Sequence, residues 1–393
     1  MSLDSIKIKF KSRYYNGYFF SERAGYNFTN NKWRKSEQKK GRYVPRYGIM
    51  PDYKNPDKKW FYMELSIPKL LFGDNITDIH EYDFETLVQA IFDFCQEIGM
   101  PILKPEIRAT EPTLFAISKN IDLSDICSCK EAIRVLKFFD YKTYSKHRKI
   151  EFNNERYGGS EIIFSTKQET FKIYDKLCEV QNNAKSEKEL QNAELIKNNQ
   201  LKKDGNIISE LLRLELTLKT HRKIQHKLGP YLKNKRLSLK NLFQEKIWER
   251  ALKDEVNISL NHPLQKIILL SLENENLIDE FLNKHYSHIQ TKDTIKTLIM
   301  KLKRFGLAQT RAIFMNTYLS RQTWHNYMKR LVNLQKHINY KEISQITNAQ
   351  IHSYILQHFD IHTSIQDELG LNIKNKLSKN IDSKHSNTYE RKI

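Results

Sequence analysis

Long apolar runs are absent from this sequence of 393 residues. A helix needs about 20 consecutive apolar residues to span a bilayer, and the longest apolar run, around residues 267–272, is far too short. The N-terminal segment 1–20 is basic and aromatic and lacks the apolar core of a signal peptide. We therefore expect a cytoplasmic protein that does not enter a membrane.

Cysteine and glycine are also scarce. The four cysteines are better explained as reduced thiols than as a disulfide framework. Cys127 and Cys129 form a C-x-C pair, but no second Cys or His pair lies at the spacing of a zinc site. The 12 glycines include no G-x-x-x-x-G-K arrangement that would hold a nucleotide phosphate. Disulfide-rich proteins, zinc sites and ATP-driven motors are therefore disfavoured.

Positive charge is present in excess. Lys and Arg number 66 against 46 Asp and Glu, which gives a net charge of +20. Such an excess favours a polyanionic partner, with nucleic acid first and an anionic membrane surface second. Charge alone does not separate DNA-binding from RNA-binding proteins. Hydrophobic residues make up 39% of the chain, which is enough for real cores and argues against global disorder.

Basic and aromatic residues are most densely interleaved in residues 1–62. The first fifty positions contain twelve Lys or Arg, and ten aromatic residues lie between Tyr14 and Tyr47. Cations can pair with phosphates while aromatic rings stack on unpaired bases. The alternative is a β-rich segment with its aromatic residues in the core and its lysines in solvent, and both arrangements can hold together.

Hydrophobic periodicity predicts a mixture of helices and strands before residue 220. Helical spacing covers 83–98, with Gly99 as the stop, and 130–140. Alternating or apolar patterns predict the following strands: 60–73 ending at Pro68, 113–123, 161–165, 170–174 and 208–219. Residues 181–206 are rich in Asn, Gln, Lys and Glu, which predicts a polar helix or a mobile insertion. We therefore predict an α+β catalytic domain over 1–220 with an antiparallel-dominated sheet.

The sequence that follows is helical in pattern. A basic helix over 292–305 is predicted to end at Gly306, and Ser320 is predicted to cap the next, aromatic helix. With a shorter helix between them, these two helices could form a helix-turn-helix-like unit, and amphipathic packing helices are the alternative. We predict a mostly helical DNA-binding domain over 235–365 and a disordered tail over 366–393.

The segment Phe171–Glu179 reads Phe-Lys-Ile-Tyr-Asp-Lys-Leu-Cys-Glu and places a tyrosine near a lysine. A tyrosine can cleave DNA and conserve the bond energy, because its phenolate forms a phosphodiester that a later 3′-hydroxyl can attack. Its pKa near 10 requires help at neutral pH. Lys176 would share a strand face with Tyr174 and could supply that help. The alternative is an ordinary core tyrosine with a satisfied hydroxyl.

A second polar group lies on the predicted strand 208–219, where Arg213 and Glu215 share one face. A glutamate can hold Mg²⁺ or Mn²⁺ beside a scissile phosphate, and an arginine can clamp phosphate with its planar fork. The alternative is an exposed strand face with a cross-strand ion pair. Asp122 stands on an otherwise apolar strand, so it is paired, metal-bound or at the strand end, or else it faces solvent beside Ser124.

The order of these motifs resembles the replication initiators of filamentous phages, of the gene II and gene X type. More distantly it resembles plasmid replication initiation factors of the transfer type. That family has an aliphatic-Tyr-x-Lys-x-x-Glu motif, similar to residues 173–179, followed after a polar insertion by an Arg-x-Glu strand, similar to 213–215. Residues 64–73 and 296–333 are also similar to the family, so the likeness spans most of the chain.

The resemblance implies a rolling-circle replication initiator. Such a protein nicks one strand of a supercoiled origin with a tyrosine, stays on the 5′-phosphate and rejoins the strand after synthesis, using Mg²⁺ or Mn²⁺. It implies Tyr174 as the nucleophile, Lys176 as its neighbour and Glu215 as the chief metal ligand. It also implies Arg213 as a phosphate or structural partner. Glu179 is a further candidate ligand that could join from a following turn or helix.

Asp122 is the last candidate metal ligand. It matches the Arg-x-Asp strand of the family only in part, because Lys119 and Asn120 stand where the Arg would fall. The expected partners are origin DNA, both supercoiled and single-stranded, with a host helicase and polymerase. The alternatives are a mobilisation relaxase or transposase with the same chemistry, and a non-enzymatic DNA-binding regulator.

Overall fold

The computed structural model describes most of the chain. The described residues are 2–11, 43–51, 59–137, 149–153, 161–184, 187–203, 205–233, 235–260, 275–317, 320–339, 351 and 354–359. Much of the basic and aromatic N-terminal stretch and the whole predicted tail 366–393 lie outside these residues. The chain divides into two compact units, one of residues 1–130 with 143–255 and one of residues 131–142 with 256–393.

An eight-stranded sheet forms the centre of the first unit, in the order β2-β3-β1-β4-β10-β7-β6-β5. Every pair of neighbouring strands is antiparallel, which confirms the predicted α+β class. The sheet strands are β1 (Ser2–Lys11), β2 (Arg46–Pro51), β3 (Lys59–Ser66), β4 (Leu114–Asp122), β5 (Lys149–Asn153), β6 (Glu161–Ser165), β7 (Glu169–Asp175) and β10 (Leu211–Leu218). A separate short hairpin consists of β8 (Lys202–Lys203) and β9 (Asn206–Ile207).

The sheet has one apolar face and one polar face, because successive side chains on a strand point to opposite sides. Four residues of β10 are fully buried on the apolar face: Leu212, Leu214, Leu216 and Leu218. Arg213 and Glu215 lie between them on the polar face. A helix covers the apolar side near β2, where the rings of Tyr47 and Phe94 are 5.5 Å apart edge to face. The alternation in the sequence therefore determines which side of the sheet carries chemistry.

Short helices connect and cover the strands. Those described between residues 67 and 260 are α1 (Ile67–Phe72), α2 (Phe84–Glu97), α3 (Lys104–Ala109), α4 (Cys129–Lys137), α5 (Lys176–Asn183), α6 (Glu187–Lys197), α7 (His221–Leu228), α8 (Leu239–Leu242) and α9 (Glu245–Leu260). The strand expected to run to Pro68 ends at Ser66 instead. Pro68 occupies the first turn of α1, where a helix needs no N–H from it, and Gly73 closes the helix at φ 78°.

The polar insertion 181–206 contains α6 and the β8 strand rather than irregular chain alone. Two of its apolar residues, Ile196 and Leu201, pack in a small buried cluster with Leu177 and Val180 of α5. The insertion is therefore anchored to the helix that follows the candidate nucleophile.

The first unit extends further along the chain than the change in sequence pattern near residue 220 suggested. α7 attaches to the sheet through Lys223, whose Nζ is 2.9 Å from Glu169 on β7. α7 also holds α9, because Lys227 Nζ is 2.8 Å from Glu255. These ion pairs keep the helices up to Glu255 with the sheet.

The second unit is helical in its described part, with α10 (Glu275–His285), α11 (Ile289–Thr317) and α12 (Arg321–Asn339) around one apolar cluster. The predicted helix end at Gly306 is wrong, because α11 runs through it. Leu302 and Phe314 enter the same cluster from both sides of this glycine, which outweighs a cost of about 1 kcal/mol for glycine in a helix. No shorter helix separates α11 from α12 in the described residues, so the expected helix-turn-helix spacing is wrong.

The predicted cap of α12 is confirmed, because Ser320 Oγ accepts a hydrogen bond from the Thr323 N–H at 3.2 Å. None of the helices in the described part of the chain combines the length and apolar character that crossing a membrane requires.

Candidate active site

Tyr174 and Glu215 meet on the polar face of the sheet. β7 and β10 pair so that Tyr174 lies opposite Arg213, and Glu215 follows two residues along β10 on the same face. The Tyr174 hydroxyl donates a hydrogen bond to Glu215 Oε2 at 3.0 Å. The Thr217 hydroxyl donates to Glu215 Oε1 at 3.1 Å. The structure thus brings the candidate nucleophile and the chief candidate ligand into direct contact.

The site is accessible from the side of Glu215. Tyr174 is only 6% exposed, whereas Glu215 and Thr217 are half-buried. A phosphate that approaches the phenol oxygen therefore passes the carboxylate first.

Arg213 is buried and held by acceptors within the protein. Its Nη2 donates to Asp4 Oδ1 at 2.6 Å and to Ser118 Oγ at 2.7 Å. Its Nη1 donates to the Asn75 carbonyl oxygen at 2.9 Å. With a side chain only 2% exposed, this guanidinium is placed to organise the site rather than to clamp a phosphate from solvent.

Asp4 reaches the site through an irregularity in β1. The pairing of β1 with β4 shifts register between Leu3 and Ser5, and a bulge of this kind redirects a side chain that would otherwise alternate away. Asp4 uses one oxygen for Arg213 and the other for the Ser5 hydroxyl, which donates at 2.9 Å. The first strand of the chain therefore contributes a carboxylate to the site.

Lys176, which is buried, and Glu179, which is half-buried, form a second ion pair, with Nζ 2.7 Å from Oε2. Sequence alternation placed Lys176 on the same strand as Tyr174, and this is wrong because β7 ends at Asp175. The Asp175 carboxylate caps α5 by accepting from the Cys178 N–H at 3.0 Å, so Lys176 is the first helical residue. Its side chain is 2% exposed and still lies in the polar cluster.

The cluster contains two ion pairs and one further carboxylate, that of Glu215. Asp4 pairs with Arg213, and Glu179 pairs with Lys176. Among the residues that the structure describes, Glu215 has no cationic side chain within ion-pair distance. Glu215 is therefore the carboxylate whose negative charge remains for a metal ion or a proton.

Burial and neighbouring charges shift the pKa values of several site residues, among them Tyr174, Lys176 and Asp4. Burial, followed by the nearby Glu215 carboxylate, raises the pKa of Tyr174 well above its usual value of 10. Burial also lowers the pKa of Lys176 to about 8, and the Arg213 charge adds to that effect. Burial opposes ionisation of Asp4, but Arg213 and Lys176 outweigh it and lower its pKa. Without a further cation at Glu215, the phenol stays protonated at neutral pH.

Asp122 lies away from this cluster. It is exposed at the end of β4, and its Oδ1 accepts from the N–H and the hydroxyl of Ser124 at 2.9 and 2.6 Å. It is four residues from Ser118, the β4 partner of Glu215, which separates them by about 13 Å along the strand. The structure therefore does not bring Asp122 together with Glu215.

A different trio has the closest spacing of possible metal ligands. Within the described part of the chain, Cys129, Asp175 and Glu210 place one ligand atom each within 4.8 Å of one another. Glu210 already accepts from the Cys129 N–H at 2.7 Å, and burial with Asp175 raises the pKa of the Cys129 thiol. A protonated thiol is a poor ligand, so this group is better explained as a helix-terminus contact.

Sequence reasoning missed two residues that hold the site together. Asp4 is the only acidic residue before Glu22 in a strongly basic segment. This isolated negative charge is the one feature of the sequence that could have indicated a role for Asp4. Asn75 accepts from Arg213 through its carbonyl and donates from Nδ2 to Glu179 at 3.3 Å. Its contribution comes from a loop after α1, and no pattern in the sequence indicates it.

Comparison with known families gives a match to a phage replication family. Residues 52–243 match the family model of the N-terminal region of the gene II-type replication-associated protein. The matched range contains Tyr174, Lys176, Glu179, Arg213 and Glu215, whereas Asp4 precedes it. No curated protein and no solved structure matches the chain. The match confirms the resemblance to gene II-type replication proteins that the order of the motifs indicated.

Proposed function

We propose, from the match of residues 52–243 to the family model of the N-terminal region of gene II-type replication-associated proteins, that the protein nicks one strand of a replication origin through Tyr174. The match places the chain among replication initiators in general terms. The proposal adds the nucleophile, the covalent 5′-phosphotyrosine and the later rejoining of the strand. Origin DNA, first supercoiled and then single-stranded, is the proposed substrate.

One observation carries this proposal, namely the hydrogen bond of 3.0 Å from the Tyr174 hydroxyl to Glu215 Oε2. A buried core tyrosine would have its hydroxyl among apolar side chains or bonded to the backbone. Tyr174 instead points at a half-buried carboxylate that lacks a cationic partner in the described residues. A phenol next to such a carboxylate has both a proton acceptor and a potential cation site.

The proposed reaction has two balanced steps. In the first, the Tyr174 oxygen attacks the scissile phosphorus, a new O–P bond forms, and the bond to the 3′ oxygen breaks. The phenol proton leaves along its hydrogen bond to Glu215, and the 3′ oxygen takes a proton from solvent. In the second step, the oxygen of a 3′-hydroxyl bonds to the phosphorus and the bond from phosphorus to the Tyr174 oxygen breaks. The hydroxyl proton passes to the released phenol oxygen. Neither step needs a co-reactant such as ATP.

Glu215 also suits a hard divalent ion, Mg²⁺ or Mn²⁺. Mg²⁺ is commonly held by one or two carboxylates and completes its coordination with water and substrate phosphate. Glu215 is the cluster carboxylate free of an ion pair in the described residues, while Glu179 is neutralised by Lys176. A bound ion would neutralise charge on the scissile phosphate. We therefore propose Glu215 as the principal protein ligand.

Arg213 and Lys176 act within the protein in this proposal. Arg213 fixes β1, β4 and the loop at Asn75 around the site through its three hydrogen bonds. Lys176 keeps Glu179 from competing with Glu215 for the ion. Both residues thus shape the electrostatics of the site without touching DNA.

The test is incubation of the protein and Mn²⁺ with a supercoiled plasmid that carries the cognate origin. We expect open circles with protein covalently attached to a 5′ end. Tyr174→Phe should abolish both products and leave DNA binding within about threefold, because only the nucleophilic oxygen is lost. Tyr231→Phe, which removes a hydroxyl bonded to Asp254 far along the chain, is the matched control and should nick normally. Nicking by Tyr174→Phe would overturn the proposal.

A further inference from the structure

The polar face that carries Tyr174 continues across the sheet to its β2 edge. Residues that lie opposite each other on paired strands point to the same side of the sheet. The registers of β10 with β4, β4 with β1 and β1 with β3 therefore show which residues share the face of Glu215. Lys7 and Lys9 of β1 lie on this face with Glu215, and so do Trp60 and Tyr62 of β3. The candidate nick site is therefore one end of a longer surface.

Each of these two lysines is paired with an aromatic ring. Lys7 Nζ lies 5.5 Å from the centre of the Tyr62 ring, and Lys9 Nζ lies 4.6 Å from that of Trp60. All four side chains are half-buried. The two rings belong to residues two apart on one strand, so they stand about 7 Å apart on the same face.

The rings of Trp60 and Tyr62 do not pack in the apolar core of the sheet. The alternating residues of β3, Phe61, Met63 and Leu65, are at most 1% exposed and fill the apolar side. Trp60 and Tyr62 lie on the opposite face, together with Lys7, Lys9 and the acidic Glu64, which is opposite Lys7. The cation–π contacts with Lys7 and Lys9 are each worth about 0.5–1 kcal/mol at such a site.

We propose that Lys7, Lys9, Trp60 and Tyr62 form a binding surface for single-stranded DNA beside the nick site; its DNA ligand rests on the proposed function. The rings stack on unpaired bases, and the ammonium groups contact the phosphates between them. Stacking on a sheet face is a general way to bind an open strand, because every base offers a flat aromatic surface. We call these four residues the β1–β3 aromatic surface.

Distance along the sheet fits a continuous strand between the two ends. Lys7 lies opposite Leu114, four residues along β4 from Ser118, the neighbour of Glu215. Four residues and two strand spacings separate Lys7 from Glu215 by about 16 Å. A few nucleotides of open DNA bridge this gap.

The surface discriminates between open and paired DNA. In a duplex the faces of the bases are covered by their neighbours in the stack, so the rings have nothing to stack on. The lysines, by contrast, contact phosphates of either form. We therefore expect the aromatic residues to affect single-strand binding selectively and the lysines to affect both forms.

The test measures binding of a fluorescent single-stranded oligonucleotide and of its duplex, without divalent ions so that no cleavage occurs. Trp60→Leu and Tyr62→Leu should weaken single-strand binding roughly 5- to 100-fold each, the size of one stacking contact. Duplex binding should change less than twofold. The matched control is Tyr82→Leu, which removes an aromatic ring that is 78% exposed, and it should bind both DNAs normally.

A second measurement uses the unaltered protein, in case the leucine variants do not fold. Lysine acetylation read by mass spectrometry should show single-stranded DNA protecting Lys7 and Lys9 and leaving the exposed Lys240 reactive. Unchanged binding in both leucine variants, equal loss of duplex binding, or unprotected lysines would each overturn the inference. If these variants nick normally and bind single-stranded DNA normally, the inference about the surface is wrong and the proposed function is retained. If the protein binds single-stranded DNA through this surface and never nicks, the proposed function is wrong and the inference about the surface is retained.

Discussion

At the residue scale, Glu215 differs from the other carboxylates of the cluster because each of those forms an ion pair. Asp4 and Glu179 each have a buried cation, so the net negative charge of the cluster concentrates at Glu215. Burial raises the pKa of Tyr174, and the charge of Glu215 raises it further. A divalent ion at this carboxylate would offset the contribution of that charge. Under the proposed function, Glu215 therefore opposes ionisation of Tyr174 without a metal ion and would favour it with one bound.

Replacing this carboxylate should abolish metal-dependent cleavage and leave the fold intact. We expect Glu215→Gln to lose at least about 100-fold in nicking rate, in line with the loss of a key electrostatic group. Its thermal midpoint should stay close to that of the unaltered protein, because no ion pair is broken. Isothermal titration with Mn²⁺ supplies a reading independent of activity. Glu249→Gln, an exposed change on α9, is the control, and equal Mn²⁺ binding by both variants would contradict the assignment.

Asp4 is expected to matter more for stability than its position at the start of the chain suggests. Asp4→Asn leaves the Arg213 charge buried without its partner, which should cost about 3–5 kcal/mol in the free energy of unfolding. The double variant Asp4→Asn/Arg213→Met should recover at least half of that loss, because no uncompensated charge remains. Urea unfolding measures both quantities. A single variant within about 1 kcal/mol of the unaltered protein would show that the pair is not structural.

Much of the site was predictable at the scale of elements, because alternation alone places polar residues together. The Arg213-Leu-Glu215 pattern predicts a common face, and the antiparallel register with β7 then delivers Tyr174 to it. Alternation failed where a strand ended, as at Asp175, and where a bulge added a residue, as at Asp4. The bulge at Asp4 depends on pairing with β4, which is distant in sequence. The strand end at Asp175 depends on a helix cap that accepts from Cys178, and alternation encodes neither.

The end of β7 is a feature that can be tested by itself. Asp175→Ala removes the N-cap of α5, which should cost about 1 kcal/mol and loosen the turn that holds Lys176 and Glu179. We expect a lower urea midpoint together with a several-fold lower nicking rate. Asp175→Ser retains a capping oxygen and should recover most of both. Failure of serine to do so would assign Asp175 a role beyond capping.

At the scale of the whole molecule, the family match and the first compact unit begin and end at different residues. The match covers 52–243, whereas the first unit begins with β1 and reaches Glu255. β1 lies between β3 and β4, in the interior of the sheet. Strands β1 and β2, which precede the match, are therefore part of the sheet, and Asp4 of β1 is part of the candidate site.

A truncation series checks this difference. A fragment of residues 52–243 should not fold, because removing β1 exposes the edges of β3 and β4 along their full length. A fragment of residues 1–260 keeps all eight strands and the ion pairs of α7 and α9, and it should unfold cooperatively in urea. Circular dichroism and size exclusion distinguish the two. A folded, monomeric 52–243 fragment would show that β1 is dispensable.

The position of β1 in the sheet also determines how much of the chain must be synthesised before the candidate site can form. This strand is synthesised before its neighbour β4, which begins at Leu114, and before the strand that carries Arg213 and Glu215, which ends at Leu218. More than half of the chain must emerge before Asp4 meets its guanidinium. Such long-range pairing folds slowly, and a polypeptide interrupted before Leu211 contains the tyrosine without its carboxylate. If Tyr174 and Glu215 act together as proposed, incomplete translation products cannot break DNA.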